Sequence, residues 1–572
     1  MNQYVPENPL IVQGDHTILV EVAAPRYAEV RDRLQAFAEL VKSPEHVHSY
    51  RITPLSIWNA CAAEISTQWI LDTLREFAKY PVPDHVLHEI TDFASRYGRL
   101  RLERADGGLI LVADEAPLAE EISRHRAAGP LLGERLSDSI FQVDPALRGR
   151  LKQALVKAGF PAQDLAGYVR GDDLEVALRT LTGGGRPFSL RDYQRRAVRS
   201  FYARGEAEGG SGVVVLPCGA GKTIVAMGVM AELQCSTLIL TTGITASRQW
   251  MREILDKTSL EEHQIGEYSG HNKEVRPVTV ATYNIMTYRR SGEDGEFLHL
   301  DLFDRRNWGL IIYDEVHLLP APVFQVTASL QARRRLGLTA TLVREDGRED
   351  DVFALIGPKK ADVPWRELES QGWIATARCC EMRVPLPASQ RMSYATADPR
   401  AKARLAAENP CKPPLVRRIL DRHRGQPTLI IGTYVDQLKR LGDELDIPVL
   451  TGATSQEVRE DCYSRFKSGR LKTLAVSKIA NFSVDLPDAA VAIQISGTFG
   501  SRQEEAQRLG RVLRPKEDGN QAHFYSLVSR DTVEQDFALK RQLFLCEQGY
   551  KYRIEDLSGD LQPVGAAEGA PQ

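Results

Sequence analysis

Leu216-Pro217-Cys218-Gly219-Ala220-Gly221-Lys222-Thr223 is the stretch whose reading decides the fold. It follows an apolar run, Val213 to Leu216, that reads as a buried parallel strand, and it precedes Ile224 to Leu233, which has helical period and length. Strand, glycine loop and helix in that order make a cradle for phosphate. Gly219 and Gly221 let backbone N–H groups curl around an anion, and the helix N-terminus adds the positive end of its dipole. Lys222 can reach the outer phosphates of a nucleotide, and the Thr223 hydroxyl suits a magnesium ion. Pro217, Cys218 and Ala220 complete the loop, while Leu216 stands where such loops usually begin with glycine. Taken alone, the loop has an ordinary strand-to-helix turn as its lesser alternative.

A second segment weighs against that alternative. Leu310-Ile311-Ile312-Tyr313 reads as another buried strand, delivering Asp314-Glu315-Val316-His317 at its C-terminal end, where open α/β sheets bind their ligands. Magnesium takes hard oxygen ligands and keeps several waters, so Asp314 can hold it directly or through water. Glu315 is then placed to orient and deprotonate an attacking water. The bland alternative, a solvated acidic pair ending a strand, gives little reason for a second carboxylate beside His317.

At 572 residues the chain exceeds what one core supports, and the usual domain size suggests about three or four domains. Hydrophobic residues make up 43% and charged residues 26%, ordinary for a soluble globular protein. Lys and Arg total 73 against 76 Asp and Glu, a net charge of −3, so any nucleic-acid surface must be local. The eight cysteines form no C-x-x-C pair and no His/Cys cluster at zinc spacing, which favours reduced thiols. Met1 to Pro9 lacks a basic segment followed by an apolar one, so no signal peptide is expected, and runs such as Leu429-Ile430-Ile431 are far below the ~18 residues of a membrane span. A cytoplasmic, nucleoid-associated protein without membrane contact is expected.

Thr182-Gly183-Gly184-Gly185-Arg186-Pro187 marks the clearest boundary. Upstream, Leu10 to Val12 and Thr17 to Val22 suggest a hairpin, with helices from about Arg26 to Val41, from Thr53-Pro54, and near His85 to Tyr97. Strands around Leu100 to Glu103 and Gly108 to Val112 close a winged-helix-like domain over residues 1–114, and a small damage-recognition-like α/β domain is expected over 115–182. From 186 to 369 strands alternate with helices, at Val213–Leu216, Thr237–Leu240, Val278–Ala281, Leu310–Tyr313 and Arg335–Leu338. The alternation returns over 370–557, at Leu429–Ile431, Val449–Leu450, Leu474–Val476, Val491–Ile493 and Phe524–Leu527. The fold class is therefore α/β, two RecA-like parallel-sheet lobes after an α+β N-terminal region. The Ala/Gly/Pro-rich stretch 558–572 reads as a disordered tail.

A nucleotide site that drives motion needs groups from both lobes, and Gln507-Arg508-Leu509-Gly510-Arg511-Val512-Leu513-Arg514 supplies candidates. The spacing puts Gln507, Arg511 and Arg514 on one side of a helix, where a guanidinium aimed at a γ-phosphate acts as an arginine finger. A solvated basic helix face is the alternative.

Gln194 ahead of the loop, the Walker A loop Gly219 to Thr223, the DEVH box, Thr339-Ala340-Thr341 and the Gln507 to Arg514 segment together resemble superfamily 2 helicases from 186 to 530. A narrower resemblance lies in Gly337 to Asp346, Ile356-Gly357-Pro358-Lys359, Lys540 to Leu545 and Gln548-Gly549-Tyr550, which look like the XPB repair helicases. Ser43 to Val47 and Tyr97 to Arg101 are similar to the bacterial members. This resemblance implies an ATP- and magnesium-dependent 3′-5′ DNA helicase in DNA repair, including nucleotide excision repair. It implies forked or 3′-tailed single-stranded DNA as substrate, a monomer, and a nuclease or other repair protein as partner. A double-strand translocase that never unwinds, and an ATP-gated DNA scaffold that recruits a nuclease, are the rivals.

Carried over by position, the resemblance implies that Arg191 and Gln194 contact adenine, with Phe188 or Leu190 on its ring. Lys222 and Thr223 would hold phosphate and magnesium, Asp314 and Glu315 would serve metal and water, and Gln507, Arg511 and Arg514 would sense the γ-phosphate. Asp485 matches the element linking the ATP and DNA sites, although Asn481 replaces a usual glycine. Thr339 and Thr341 would couple hydrolysis to strand movement, and Arg344-Glu345-Asp346 is the element associated with opening DNA. A basic thumb-like insertion is expected within Pro385 to Pro410, with Arg400, Lys402 and Arg404. Strand contacts would be mostly to phosphates. The candidates are Thr242, Arg248 and Gln249, then Thr282 and Tyr283, then Thr433 and Thr451, each of which could instead be a cap or a turn.

Overall fold

The computed structural model describes residues 4–44, 46–105, 108–205, 209–217, 219–288, 298–331, 333–340, 349–363, 368, 377–477, 489–496, 522–547 and 551–557. The chain divides into two compact units. Residues 1–39, 49–217 and 221–364 make up the first; residues 365–572, with 40–48 and 218–220, are grouped with the second.

Strands β1 (Leu10–Val12) and β2 (Thr17–Glu21) pair antiparallel as the expected hairpin. The long helix expected from Arg26 to Val41 is corrected: it spans only Tyr27–Leu34, and the chain continues as strands β3 (Glu39–Lys42) and β4 (Val47–Arg51). Leu40 and Val41 suit an extended, half-buried surface better than a helix. Thr53 opens the helix Pro54–Ala62 with a capping box, its hydroxyl accepting from the Ser56 N–H, and Pro54 sits at the first helical position. A further helix, Asp84–Arg96, leads to β5 (Leu100–Ala105) and β6 (Gly108–Ala113).

These two strands do not end a domain at residue 114. With β7 (Arg135–Ser137), β8 (Ile140–Val143) and β9 (Ala162–Asp164) they form one sheet of order β7-β8-β6-β5-β9. The helix Arg148–Lys157 lies so close to the helix Ala321–Ser329 that a Cβ on Gly149 would fall 2.3 Å from the Ala328 carbonyl oxygen. Buried charges secure this junction. Asp164 takes Arg148 at 2.5 Å and Lys152 at 3.0 Å, and Lys152 also reaches Gln331 Oε1 at 2.9 Å. Burial, partly offset by Asp164, depresses the Lys152 ammonium to about 8.

The first lobe is a seven-stranded sheet: β10 (Ser211–Val215), β11 (Thr237–Thr241), β12 (Ile265–Tyr268), β13 (Val278–Thr282), β14 (Leu310–Asp314), β15 (Arg334–Thr339) and β16 (Lys359–Asp362). The spatial order is β12-β13-β11-β14-β15-β10-β16 with parallel pairings, and consecutive strands other than β12 and β13 are joined through helical segments. β10, β11 and β13 are buried along their whole length, which explains their largely apolar sequences. Arg335, fully buried in β15, is held by the Leu355 and Gln331 carbonyls at 2.7 and 2.8 Å.

The second lobe repeats the plan with β17 (Ala377–Val384), β18 (Thr428–Gly432), β19 (Val449–Leu450), β20 (Thr473–Ser477), β21 (Val491–Gln494), β22 (Ala522–Ser529) and β23 (Lys551–Asp556). Its order is β19-β20-β18-β21-β22-β17-β23. Within it, Lys412 is buried against both oxygens of Glu534, at 2.9 and 2.8 Å, and against the Ile495 carbonyl. The segment expected to carry a thumb forms two helices, Ala388–Thr396 and Pro399–Ala407, and Arg404 is paired with Glu408 and Asp436. No helix among the described residues is long and apolar enough to cross a membrane.

Candidate active site

Three neighbouring strands of the first lobe bring the chemistry together at their C-terminal ends. β10 runs into the glycine loop, and the Leu216 N–H donates to the Thr339 carbonyl at 3.0 Å, pinning the loop's entry to the end of β15. Gly219 and Gly221 both have φ of 83°, a left-handed conformation that a side chain would strain. Gly221 is also sterically closed: a Cβ there would lie 2.6 Å from Gln194 Nε2. Helix Lys222–Leu233 starts at the next residue, which leaves its first N–H groups aimed out of the loop.

Gln194 is 1% exposed on the helix Asp192–Tyr202, and its side chain accepts from the Arg191 backbone N–H at 3.0 Å. Arg191 Nη1 and Gln194 Nε2 both donate to the Tyr193 hydroxyl, at 3.2 and 3.3 Å. The two residues expected at adenine therefore sit side by side, with Gln194 against the glycine loop.

β14 delivers the carboxylates. Asp314 is its last residue, and Glu315 follows with φ of 51°, an αL conformation unusual for glutamate and of the kind that concentrates at functional sites. The turn swings the Glu315 carboxylate onto Lys222, with Nζ to Oε1 at 2.5 Å and both side chains nearly buried. His317 Nδ1 lies 2.7 Å from Thr339 Oγ1 and 3.7 Å from Glu315 Oε2. Trp250 Nε1 donates to Asp314 Oδ2 at 2.9 Å, and the Tyr283 hydroxyl donates to the Asp314 carbonyl, also at 2.9 Å.

The two carboxylates are driven apart in acidity. Burial and the neighbouring Glu315 charge push the Asp314 carboxyl up to about 6, against the pull of Lys222 and Trp250. Burial raises Glu315 too, but Lys222 and His317 more than offset it and hold this carboxyl below its usual range. A buried pair of carboxylates facing one lysine retains excess negative charge, which a divalent cation would neutralise. Asp314 and the half-buried Thr223 hydroxyl offer the hard oxygen donors that magnesium takes, the rest of its shell coming from phosphate and water.

Of the expected strand contacts, Arg248 is 60% exposed, beside exposed Gln249, on the helix Ile244–Lys257, with Thr242 just ahead of it. Thr282 is a helix cap, its hydroxyl accepting from the Ile285 N–H, and Tyr283 is buried with its hydroxyl on Asp314. In the second lobe, Thr451 closes its own turn through Thr454, and the Thr433 N–H donates to Ser496 Oγ. Thr339 is fully buried. Cys218, Thr341, Arg344, Glu345, Asp346, Asp485, Gln507, Arg511 and Arg514 lie outside the described residues. Trp250 was missed by sequence reasoning, because an aromatic on the inner face of an amphipathic helix carries only the signal of a core residue.

Comparison with known proteins adds three family profiles. "Type III restriction enzyme, res subunit" matches residues 187–344, "ERCC3/RAD25/XPB C-terminal helicase" matches 368–562, and "Helicase conserved C-terminal domain" matches 10–137. The DNA 3′-5′ helicase XPB of Mycobacterium tuberculosis is 53% identical over 559 residues, 98% of this chain and 100% of that protein. That of Kineococcus radiotolerans is 54% identical over 551 residues, 96% and 97% of the two chains. The general transcription and DNA repair factor IIH helicase/translocase subunit XPB/SSL2 of Saccharomyces cerevisiae is 30% identical over 612 residues, 95% of this chain and 71% of that one.

Proposed function

The chain belongs to the XPB family of DNA 3′-5′ helicases, and from that membership we propose that it opens DNA during repair, moving 3′ to 5′ by hydrolysing ATP. The observation that carries the coupling mechanism is the contact of Lys222 with Glu315 at 2.5 Å, beside Asp314. The residue suited to hold the outer phosphates is closed on the residue suited to activate water. When a triphosphate enters the loop, Lys222 exchanges Glu315 for phosphate oxygens, and Glu315 is released to orient and deprotonate the attacking water. Asp314 and Thr223 would hold magnesium, which when bound neutralises charge at the β- and γ-phosphates. Arg191 and Gln194 would hold the adenine, their places set by the hydrogen bonds to each other and to Tyr193. His317 links Glu315 to Thr339, where the family places coupling between hydrolysis and strand movement. Gln507, Arg511 and Arg514 are proposed to sense the γ-phosphate, Asp485 to relay between ATP and DNA, and Arg344, Glu345 and Asp346 to part the strands.

On the same footing, the protein acts in the cytoplasm as a monomer on forked DNA and hands the opened strand to a nuclease or other repair protein. The test is strand displacement on a fork with a 3′ tail against the same fork with a 5′ tail, with a Lys222→Ala control. Displacement from the 3′ tail alone, lost in Lys222→Ala, is expected. DNA-stimulated hydrolysis without displacement would instead make the protein a translocase, and function that survives Glu315→Gln would make it a scaffold.

A further inference from the structure

Three buried tryptophans donate their indole N–H within the first unit. Trp58 donates to the Phe93 carbonyl at 3.0 Å and Trp308 to the Leu302 carbonyl at 2.9 Å, the usual solution for a buried indole. Trp250 differs: at 3% exposure it donates to a carboxylate, Oδ2 of Asp314. A hydrogen bond to an ionised acceptor is shorter and stronger than one to a carbonyl, so it holds the Asp314 carboxylate toward the indole. Trp250 sits on the helix Ile244–Lys257, directly after exposed Arg248 and Gln249, the side chains expected to meet a nucleic-acid backbone. That helix follows β11, which lies beside β14 with Leu240 opposite Tyr313, the residue before Asp314. On the other side of β11, the short helix Tyr283–Met286 follows β13, and Tyr283 reaches the same aspartate through its backbone carbonyl. The two segments expected to contact strand phosphates in this lobe thus each reach Asp314, one at its carboxylate and one at its backbone carbonyl.

We infer that Trp250 is a positioning residue that couples DNA binding to nucleotide binding. A phosphate backbone engaging Arg248 and Gln249 displaces or stiffens the helix, the indole moves with it, and the Asp314 carboxylate is re-aimed at the magnesium and phosphate site. The inference deepens the proposed function and rests on it. Coupling of this kind is reciprocal, so it can be read from DNA affinity without any turnover. The experiment measures the affinity of the full chain for fluorescein-labelled oligodeoxythymidine, without nucleotide and with magnesium and a non-hydrolysable ATP analogue. The wild type is expected to change affinity by a factor in the usual allosteric range, about 5- to 150-fold.

Trp250→Phe keeps the ring in the core and removes the donor. Its DNA affinity without nucleotide should match wild type, because the indole does not face the strand, while the change on adding nucleotide should shrink to about twofold or less. Trp308→Phe is the control for a merely structural tryptophan, and it should lower the melting temperature while keeping the wild-type ratio. Trp250→Leu, the second variant, also keeps an apolar side chain in the core and removes the donor; it should shrink the ratio in the same way, and it decides the matter if Trp250→Phe does not fold. A wild-type ratio in both variants overturns the inference alone. An absence of coupling in the wild type overturns it together with the functional reading.

Discussion

Glu315→Gln should make the protein bind ATP more tightly while nearly abolishing its hydrolysis. The Lys222 ammonium is held 2.5 Å from Glu315 Oε1, with the two side chains only 13% and 12% exposed, so solvent screens the contact little. A hydrogen bond involving a charged partner contributes about 1.5–3 kcal/mol, against about 0.5–1.5 kcal/mol for a neutral one. The glutamine amide oxygen still accepts from the charged Lys222 ammonium, so the substitution moves the contact from the top of the charged range toward its bottom, a loss of roughly 1–1.5 kcal/mol. Phosphate no longer has to displace that part of the contact, and at 1.4 kcal/mol per decade the dissociation constant should fall roughly five- to tenfold. Asp314 acts in the same direction, since it loses the like charge that helps push its carboxyl up. Loss of the general base should lower turnover by about 10²–10⁴. Equilibrium titration with a fluorescent ATP analogue and magnesium measures the first quantity, and phosphate release the second. Unchanged or weaker binding would refute the idea that Glu315 competes with phosphate for Lys222, and turnover within tenfold of wild type would refute its role as base.

Further outcomes follow from neighbouring contacts. Because the folded protein raises the Asp314 carboxyl to about 6, its ionisation opposes folding: the contribution to stability is full below the ordinary aspartate range and is lost as pH rises through about 6. Nucleotide-free Asp314→Asn should therefore melt above wild type at neutral pH, with the gap closing as pH falls toward about 4; equal melting at neutral pH would contradict the assignment. Gly221→Ala forces a side chain into φ of 83° and drives a Cβ to 2.6 Å from Gln194 Nε2. It should cost roughly 1–2 kcal/mol locally and weaken nucleotide binding by about tenfold or more with the circular dichroism spectrum unchanged. Asp164→Asn leaves Arg148 and Lys152 buried without their carboxylate, and should destabilise the first unit by roughly 3–5 kcal/mol in denaturant unfolding; a loss below about 1 kcal/mol would show that the junction is not held by this network.

The sequence was most legible where burial is symmetric. β10, β11, β14 and β18 are covered on both faces, so each appears as an unbroken apolar run within a residue or two of its observed limits, and β13 differs only by the buried Thr279. The unanticipated strands fail that condition for physical reasons. β16, Lys359–Asp362, and β23, Lys551–Asp556, lie at sheet edges, where charge guards against further pairing and breaks the apolar signal. β12 is the opposite edge of the first sheet and carries Glu267, buried beside Ser269 and Arg248. β17 is interior, but its run is interrupted by Glu381, 1% exposed and satisfied by Arg383 and the Tyr552 hydroxyl.

The same distinction governs the candidate site. Lys222, Asp314 and Glu315 announce themselves because phosphate, metal and water chemistry needs particular groups just past strand ends, and little else explains charged residues there. Trp250 carries no such signal, since a buried aromatic serves packing equally well wherever its polar atom finds an acceptor. What separates the two uses is the identity of that acceptor. A backbone carbonyl moves only with its own chain, whereas the Asp314 carboxylate has a side-chain torsion to be set, and it is set from a helix whose outer face carries Arg248 and Gln249. Chemistry at strand ends is therefore readable one residue at a time. Coupling between a nucleotide and a nucleic acid resides in pairs, and a pair spanning β11 and β14 becomes visible only once the crossover order of the sheet is known.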